Sequence, residues 1–233
     1  MTKVKICGLF REEDIQAANQ FVPDYVGFVL APSRRQVSPS QAQVFRQALD
    51  PQISAVGVFV NEQIEAIVDL YESNTIDIVQ LHGDEDVVYI DRLKQACNCP
   101  VIKAVGVSDR LSSLSDMSSL LDLPSLISLS QHADYLLFDT YNKPPAEEQC
   151  PAGASAAYTR GGTGRAFDLS LLEDYSGPPY FLAGGINAAN VAAAIKSLSP
   201  YCVDVSSGVE TNGQKDRQKI AAFIELVRKE SAL

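Results

Sequence analysis

The sequence predicts an α/β fold, a single closed (β/α)8 TIM barrel over residues 1–233. Three observations carry this expectation. Eight short runs rich in Val, Ile and Phe alternate with amphipathic helical stretches, the pattern of parallel strands covered by helices. Glycine clusters follow the seventh and eighth runs, where barrels of this kind often hold a phosphate. The first run turns through Cys7-Gly8-Leu9-Phe10 with no dinucleotide-binding glycine fingerprint, so an open doubly wound sheet is the weaker alternative.

The first run, Val4–Cys7, closes at Gly8. Side chains alternate along a strand, so Lys5 and Cys7 share one face and Val4 and Ile6 the other. The apolar pair suits packing on helices, which turns Lys5 and Cys7 into the middle of a closed sheet. After the second run, Tyr25–Leu30, Ser38-Pro39 places an N-cap before a proline at the first helical position. After the third, Ile53–Val60, Asn61 is expected to cap a helix over Glu62–Glu72, whose acidic start suits the helix dipole. The fourth run, Ile76–Leu81, carries Gln80, with His82 next along the same face.

The fifth and sixth runs are Val101–Val107 and Tyr135–Asp139. Between them, Ser108–Gln131 is rich in serine and leucine and is expected to be helix plus irregular insertion. Tyr141–Tyr158 holds Pro144-Pro145 and a Gly/Ala/Ser-rich segment, the composition of a flexible active-site loop able to act as a lid. The seventh run, Tyr180–Ala183, leads to Asn187 as the expected cap of Ala188–Leu198. The eighth, Cys202–Ser206, precedes a final helix expected over about Gln214–Lys229.

At 46% hydrophobic the chain can bury one sizeable core. A formal net charge of −10 argues against nucleic acid and anionic membranes as partners, since both need basic surface. A small anion remains compatible, because a few backbone N–H groups and one arginine make a local site. The sequence is compatible with a monomer or a homodimer. Five cysteines, Cys7, Cys97, Cys99, Cys150 and Cys202, are scattered and odd in number, with no disulfide framework. Cys97-Asn98-Cys99 is too close for a zinc pair and only His82 and His132 could complete a site, so no metal is expected. Reduced thiols point to the cytoplasm. Met1 leads almost directly into the first strand without a signal peptide, and no apolar run approaches membrane-spanning length.

The candidate chemistry lies at the ends of the runs. Ala183-Gly184-Gly185-Ile186-Asn187 and Asp204-Val205-Ser206-Ser207-Gly208-Val209 follow the seventh and eighth runs. Either cluster alone is most simply a tight turn. Both together, at the expected pair of loops, favour phosphate, because glycines let backbone N–H groups approach an anion. A third cluster, Gly161-Gly162-Thr163-Gly164, precedes the seventh run. Asp139 closes the sixth run, where partial desolvation can keep a carboxyl protonated near neutrality. Arg34 and Arg35 follow the second run, around the rim from the phosphate loops, and an arginine there suits a carboxylate through two parallel hydrogen bonds. Lys5 and Asp204 are expected to pair between the first and last strands. His82 is in range to titrate near neutral pH, although a structural role is the plainer reading.

Together, Lys5-Ile6-Cys7-Gly8, Gly27-Phe28-Val29, Ser33-Arg34-Arg35, Gln80-Leu81-His82-Gly83, Gly161-Gly162-Thr163-Gly164 and Asp204-Val205-Ser206-Ser207-Gly208-Val209-Glu210 resemble the motifs of phosphoribosylanthranilate isomerases. They cover nearly the whole chain in the right order. The resemblance implies a (β/α)8 barrel that catalyses an Amadori rearrangement in tryptophan biosynthesis. Its substrate is a small phosphorylated sugar-anthranilate. By motif match Cys7 is the general base, Asp139 the general acid and Arg35 the ligand of the anthranilate carboxylate. Gly162, Gly184, Gly185, Asp204, Ser206, Ser207 and Gly208 are the remaining substrate-binding candidates, with Lys5, Gln80 and His82 as supporting residues. No cofactor is implied, because the iminium nitrogen formed on ring opening is itself the electron sink. A thiol acting as base near neutrality needs its thiolate favoured, and Lys5 is placed to do so. The loop after the sixth run and the segment after the fifth are longer than the family pattern.

Other phosphate-binding barrels fit less well. An indole-glycerol-phosphate synthase-like lyase places lysine and glutamate at strand ends, whereas Lys103 is inside the fifth run and no glutamate closes any run. A sugar-phosphate epimerase needs a metal set that is missing. A non-catalytic barrel that only binds a phosphorylated ligand has no use for both Cys7 and Asp139. Flavin binding through the same loops is weaker still.

Overall fold

The structure is a computed structural model that describes residues 1–108, 123–141, 172, 175 and 177–232. Among them eight parallel strands close into a barrel in chain order. These are β1 (Lys3–Cys7), β2 (Tyr25–Val29), β3 (Ser54–Phe59), β4 (Ile78–Leu81), β5 (Val101–Ser108), β6 (Tyr135–Tyr141), β7 (Tyr180–Leu182) and β8 (Cys202–Val205). Each expected apolar run is a strand, within two residues at either end. The outer layer comprises α1 (Glu12–Phe21), α2 (Pro39–Ala48), α3 (Ile64–Glu72), α4 (Val87–Cys97), α5 (Leu123–His132), α6 (Val191–Leu198) and α7 (Arg217–Glu230). A short antiparallel ribbon, β9 (Glu210–Thr211) and β10 (Gln214–Lys215), lies between β8 and α7.

Alternation along each strand splits the interior into two apolar masses. Val4, Ile6, Val26, Phe28, Leu136 and Phe138 face the helices. Tyr25, Val56, Ile78, Ile102, Leu137, Phe181 and Cys202 fill the barrel. At the N-terminal end Tyr135 stacks on Tyr201, with ring centroids 5.1 Å apart, and the Tyr25 and Tyr201 hydroxyls meet at 2.9 Å. Lys3 lies over the Tyr25 and Tyr201 rings and donates to the Tyr25 hydroxyl. This aromatic plug belongs to the face that contributes stability in such barrels.

Helix starts follow local sequence rules with three corrections. Ser38 caps α2 as expected: its hydroxyl accepts from the Gln41 N–H and the Gln41 side chain returns the bond. Asn61 does not cap α3, which begins at Ile64. Asn61 adopts φ +52° and its Oδ1 accepts from the Asp84 N–H, bracing the β4–α4 turn instead. Asn187 braces its own turn through the Ala189 N–H, and Asn190 takes the N-cap position of α6. The last helix begins at Arg217, capped by Asp216, because Gln214 and Lys215 are drawn into the ribbon. Of the serine/leucine-rich segment, the part from Leu123 is helix α5. Residues 109–122 lie outside the described residues, as does the expected lid beyond Tyr141.

The barrel closes with Lys3–Ile6 paired to Cys202–Val205, Lys5 directly opposite Asp204. Lys5 Nζ donates to Asp204 Oδ2 at 2.9 Å inside the barrel, as the sequence leads one to expect. Removing one partner of a buried pair strands the other charge. Lys5→Met is therefore expected to lower the unfolding free energy by about 3–5 kcal/mol in a urea titration. Lys5→Met/Asp204→Leu is expected to regain most of it. Equal stability of wild type and the single variant would show that the pair has no such role.

Candidate active site

The C-terminal mouth of the barrel is where the inward face changes from apolar to polar. On β4 the inward sequence runs Ile78, Gln80, His82. On β6 it runs Tyr135, Leu137, Asp139, and on β8 Cys202, Asp204, Ser206. Lys5 and Cys7 end the same progression on β1. Lys5 is fully buried, whereas Cys7 is half-buried at the opening. Gly27 pairs with Cys7 across β1 and β2, and a Cβ there would sit 2.7 Å from Cys7 Sγ. The glycine is what gives the thiol its place.

Two opposing effects act on Cys7. Burial pushes the thiol above its ordinary pKa. The neighbouring Lys5 ammonium and Lys215 pull it down, while Asp204 pushes it up. The net shift is upward, so Lys5 favours the thiolate as expected but does not outweigh burial. For Lys5 too burial disfavours the charged form, but the neighbouring Asp204 and Cys7 hold it above its ordinary value, so it remains an ammonium. Ser206 Oγ donates to the Cys7 carbonyl at 2.9 Å, tying the turn after β8 to the end of β1.

Asp139 does not close its strand, since β6 continues to Tyr141 paired with β5 as far as Ser108. It is inward and buried all the same. Its Oδ2 lies 3.5 Å from His82 Nε2, and His82 Nδ1 is 2.9 Å from Gln80 Nε2. With the Gln80 amide nitrogen donating to Nδ1, the neutral ring carries its proton on Nε2, facing Asp139. Two strands apart in the barrel, the three residues form one polar chain across the mouth. The small inward residues Ala104 and Gly106 of the intervening β5 leave room for it.

Arg35 packs its side chain over Gly8, where a Cβ would meet Arg35 Cδ at 2.5 Å, so it lies beside the Cys7 turn. It does not stand well around the rim from the loop after β8. Its Nε and Nη2 bond Glu210 Oε1 and Oε2 at 2.7 and 3.1 Å. Arg34, more exposed, donates to Glu210 Oε2 at 2.7 Å. Lys215 Nζ completes the cluster, 2.8 Å from Glu210 Oε1 and 2.9 Å from the Ser206 carbonyl. Burial raises the pKa of Glu210, but the bonds from Arg35 and Lys215 prevail and hold it down at about 2.

Sequence reasoning quoted Glu210 within a motif without giving it a role, and missed Lys215. The signal was present. Asn212-Gly213 is a strong two-residue hairpin turn, and both residues adopt positive φ, 51° and 77°. The turn forms the β9–β10 ribbon and sets Lys215 opposite Glu210.

The two expected phosphate loops meet. Gly184 and Gly185 adopt φ +74° and +70°, and a Cβ on Gly184 would lie 2.6 Å from the Thr140 N. A Cβ on Gly208 would collide with the Ile186 carbonyl. Ser207–Val209 form one 3-10 turn. Asp204 is engaged by Lys5 below this level. Gly162 and its cluster lie outside the described residues. The mouth therefore gathers a thiol, a carboxyl backed by a histidine, an arginine and a glycine-lined cradle.

A model of the N-(5'-phosphoribosyl)anthranilate (PRA) isomerase family matches residues 4–226. The chain is 46% identical over 228 residues to the N-(5'-phosphoribosyl)anthranilate isomerase of Endomicrobium trichonymphae, covering 98% of this chain and 99% of that one. It superposes on the crystal structure of phosphoribosyl anthranilate isomerase from Thermotoga maritima with a TM-score of 0.77 at 35% identity, over 98% of this chain and 100% of the other. A further structure, at TM-score 0.75 and 34% identity over 98% and 100% of the chains, is that of a phosphoribosyl anthranilate isomerase in complex with reduced 1-(o-carboxyphenylamino)-1-deoxyribulose 5-phosphate.

Because the thiol pKa is raised, Cys7 gains nucleophilicity only as pH climbs past the ordinary value of 9.0. Alkylation of the Cys7 peptide by iodoacetamide, followed by mass spectrometry, is expected to inflect above that pH. Lys215→Gln removes a charge that favours the thiolate and should move the inflection higher. An inflection below 9.0 in the wild type contradicts this balance.

Proposed function

The chain belongs to the N-(5'-phosphoribosyl)anthranilate isomerase family, and on that premise we propose how its own residues carry the reaction. The reaction is the isomerisation of N-(5-phosphoribosyl)anthranilate to 1-(2-carboxyphenylamino)-1-deoxyribulose 5-phosphate, in tryptophan biosynthesis. The observation that carries the assignment of roles is the convergence of Cys7 and Asp139 on one mouth, from strands separated by β7 and β8.

Asp139 is the general acid. It gives a proton to the ribose ring oxygen, and the C1–O bond breaks to leave an iminium between C1 and the anthranilate nitrogen. His82 Nε2 lies 3.5 Å from Oδ2 and Thr140 Oγ1 3.5 Å from Oδ1, so the carboxyl is flanked on both oxygens at the edge of the sugar site. Cys7, in the thiolate form that burial makes the minor one near neutrality, removes the C2 proton; the C–H pair becomes the C1=C2 bond and the iminium π pair moves onto nitrogen. The Asp139 carboxylate then takes the enaminol hydroxyl proton and the Cys7 thiol returns its proton at C1, giving the ketose and restoring both groups. Lys5 holds the thiolate's charge, and Gly27 leaves space for it.

Arg35 takes the anthranilate carboxylate. The backbone near Gly184–Gly185 and Ser206–Gly208 takes the phosphate, the positive φ of both glycines letting N–H groups approach the anion. We place the enzyme in the cytoplasm, the compartment expected for scattered thiols.

The roles are separable with substrate deuterated at ribose C2. Cys7→Ser is a poorer base, so proton abstraction should limit turnover and a primary isotope effect on kcat should appear or grow. In Asp139→Asn, ring opening should limit and the effect should shrink. Each variant should lose at least about 10²–10⁴-fold in rate. The reverse isotope pattern means acid and base are exchanged, and near-wild-type rates in both variants remove the mechanism. For the phosphate cradle, Gly185→Asp is expected to weaken substrate and product binding together, by bulk and like charge. Unchanged affinity in a folded variant would refute that placement.

A further inference from the structure

We propose that Glu210, locked by Lys215, is the positioning residue that aims Arg35 at the carboxylate of the substrate. The inference rests on the reading that Arg35 binds that carboxylate. A guanidinium has two edges able to form paired hydrogen bonds, the Nε–Nη2 side and the Nη1–Nη2 end. Glu210 takes the side edge, at 2.7 and 3.1 Å. The end edge is then the one that can receive a second carboxylate, and its direction is set by Glu210.

Glu210 is a firm anchor. It is buried, and Lys215 grips it at 2.8 Å. Lys215 is buried too, and also donates to the Ser206 carbonyl and hydroxyl at 2.9 and 3.2 Å. The hairpin register places the two residues opposite each other. Arg35 is confined on its other side by Gly8, next to Cys7. The anchor therefore fixes the guanidinium relative to the base at the same mouth.

The charges allow this arrangement to attract an anion. Three cations, Arg34, Arg35 and Lys215, surround one carboxylate. Glu210 orients Arg35 without cancelling the positive field that a carboxylate needs. A glutamate that merely competed with substrate for Arg35 has no need of a dedicated lysine, nor of the side edge.

The test uses two inhibitors: reduced 1-(o-carboxyphenylamino)-1-deoxyribulose 5-phosphate and its counterpart without the ring carboxyl. Their Ki ratio reads carboxylate recognition alone. Glu210→Gln is expected to shrink the ratio about tenfold, the loss of one well-aimed charge-assisted bond, while inorganic phosphate inhibits within about twofold of wild type. Glu210→Asp, with the charge kept on a shorter arm, should fall between. If Glu210→Gln does not fold, Glu210→Gln/Lys215→Gln leaves neither charge stranded and should show the same collapse. Arg35→Ala separates the premise from the inference. If Arg35→Ala keeps the wild-type ratio, the carboxylate assignment fails. If Arg35→Ala loses the ratio and the Glu210 variants keep it, the positioning role alone fails. Equal weakening of both inhibitors and of phosphate marks a purely structural residue, and a larger ratio in Glu210→Gln marks a competitor; either overturns the proposal.

Discussion

The barrel depends on the pairing of its first and last strands, a seam at which Lys5 lies opposite Asp204. Every other strand joins a neighbour in sequence, while β1 and β8 must meet across almost the whole chain. At that seam the chain sets a buried ammonium against a buried carboxylate. Apolar residues of similar volume would close a barrel as stably or more so. The pair is better understood as the floor of the site, because it brings a fixed positive charge beneath Cys7.

Above that floor, the chemistry is a balance between desolvation and charge. Cys7 must be enclosed enough to be held, yet enclosure makes its anion harder to form. Lys5 and Lys215 offset part of that cost, and Asp204 opposes them. At the other end of the mouth, Asp139 is backed by a histidine that a glutamine orients. Cys7 thus has a partner on its own strand and others on β8 and β10, and Asp139 has one at the end of β4. A closed sheet permits this because inward side chains from separate strands share one small volume.

Glycine and hairpin geometry finish the mouth. Gly27 admits the thiol and Gly8 admits Arg35. The ribbon after β8 then carries a glutamate back over the start of the chain, where it binds an arginine from the loop after β2. The subsite for an anion is built by three segments far apart in sequence.

The sequence by itself determined the strands, the closed barrel and the faces of Lys5, Cys7, Gln80 and Asp204. These follow from a period of two and from apolar runs, which are local and survive any register. The capping of α2 by Ser38 was legible for the same reason. Tertiary structure decided what the polar residues touch. Asn61 and Asn187 have good capping chemistry, but a neighbouring loop claimed the Asn61 side chain and its own turn claimed that of Asn187. The pull of Lys5 on Cys7 was legible, but not its defeat by burial, because desolvation depends on every strand at once. The Asn212-Gly213 turn was local, yet its consequence, Lys215 and Glu210 meeting Arg35, was not. Which residues face one another across a barrel mouth is set by strand stagger and loop return, and no single stretch of chain contains either.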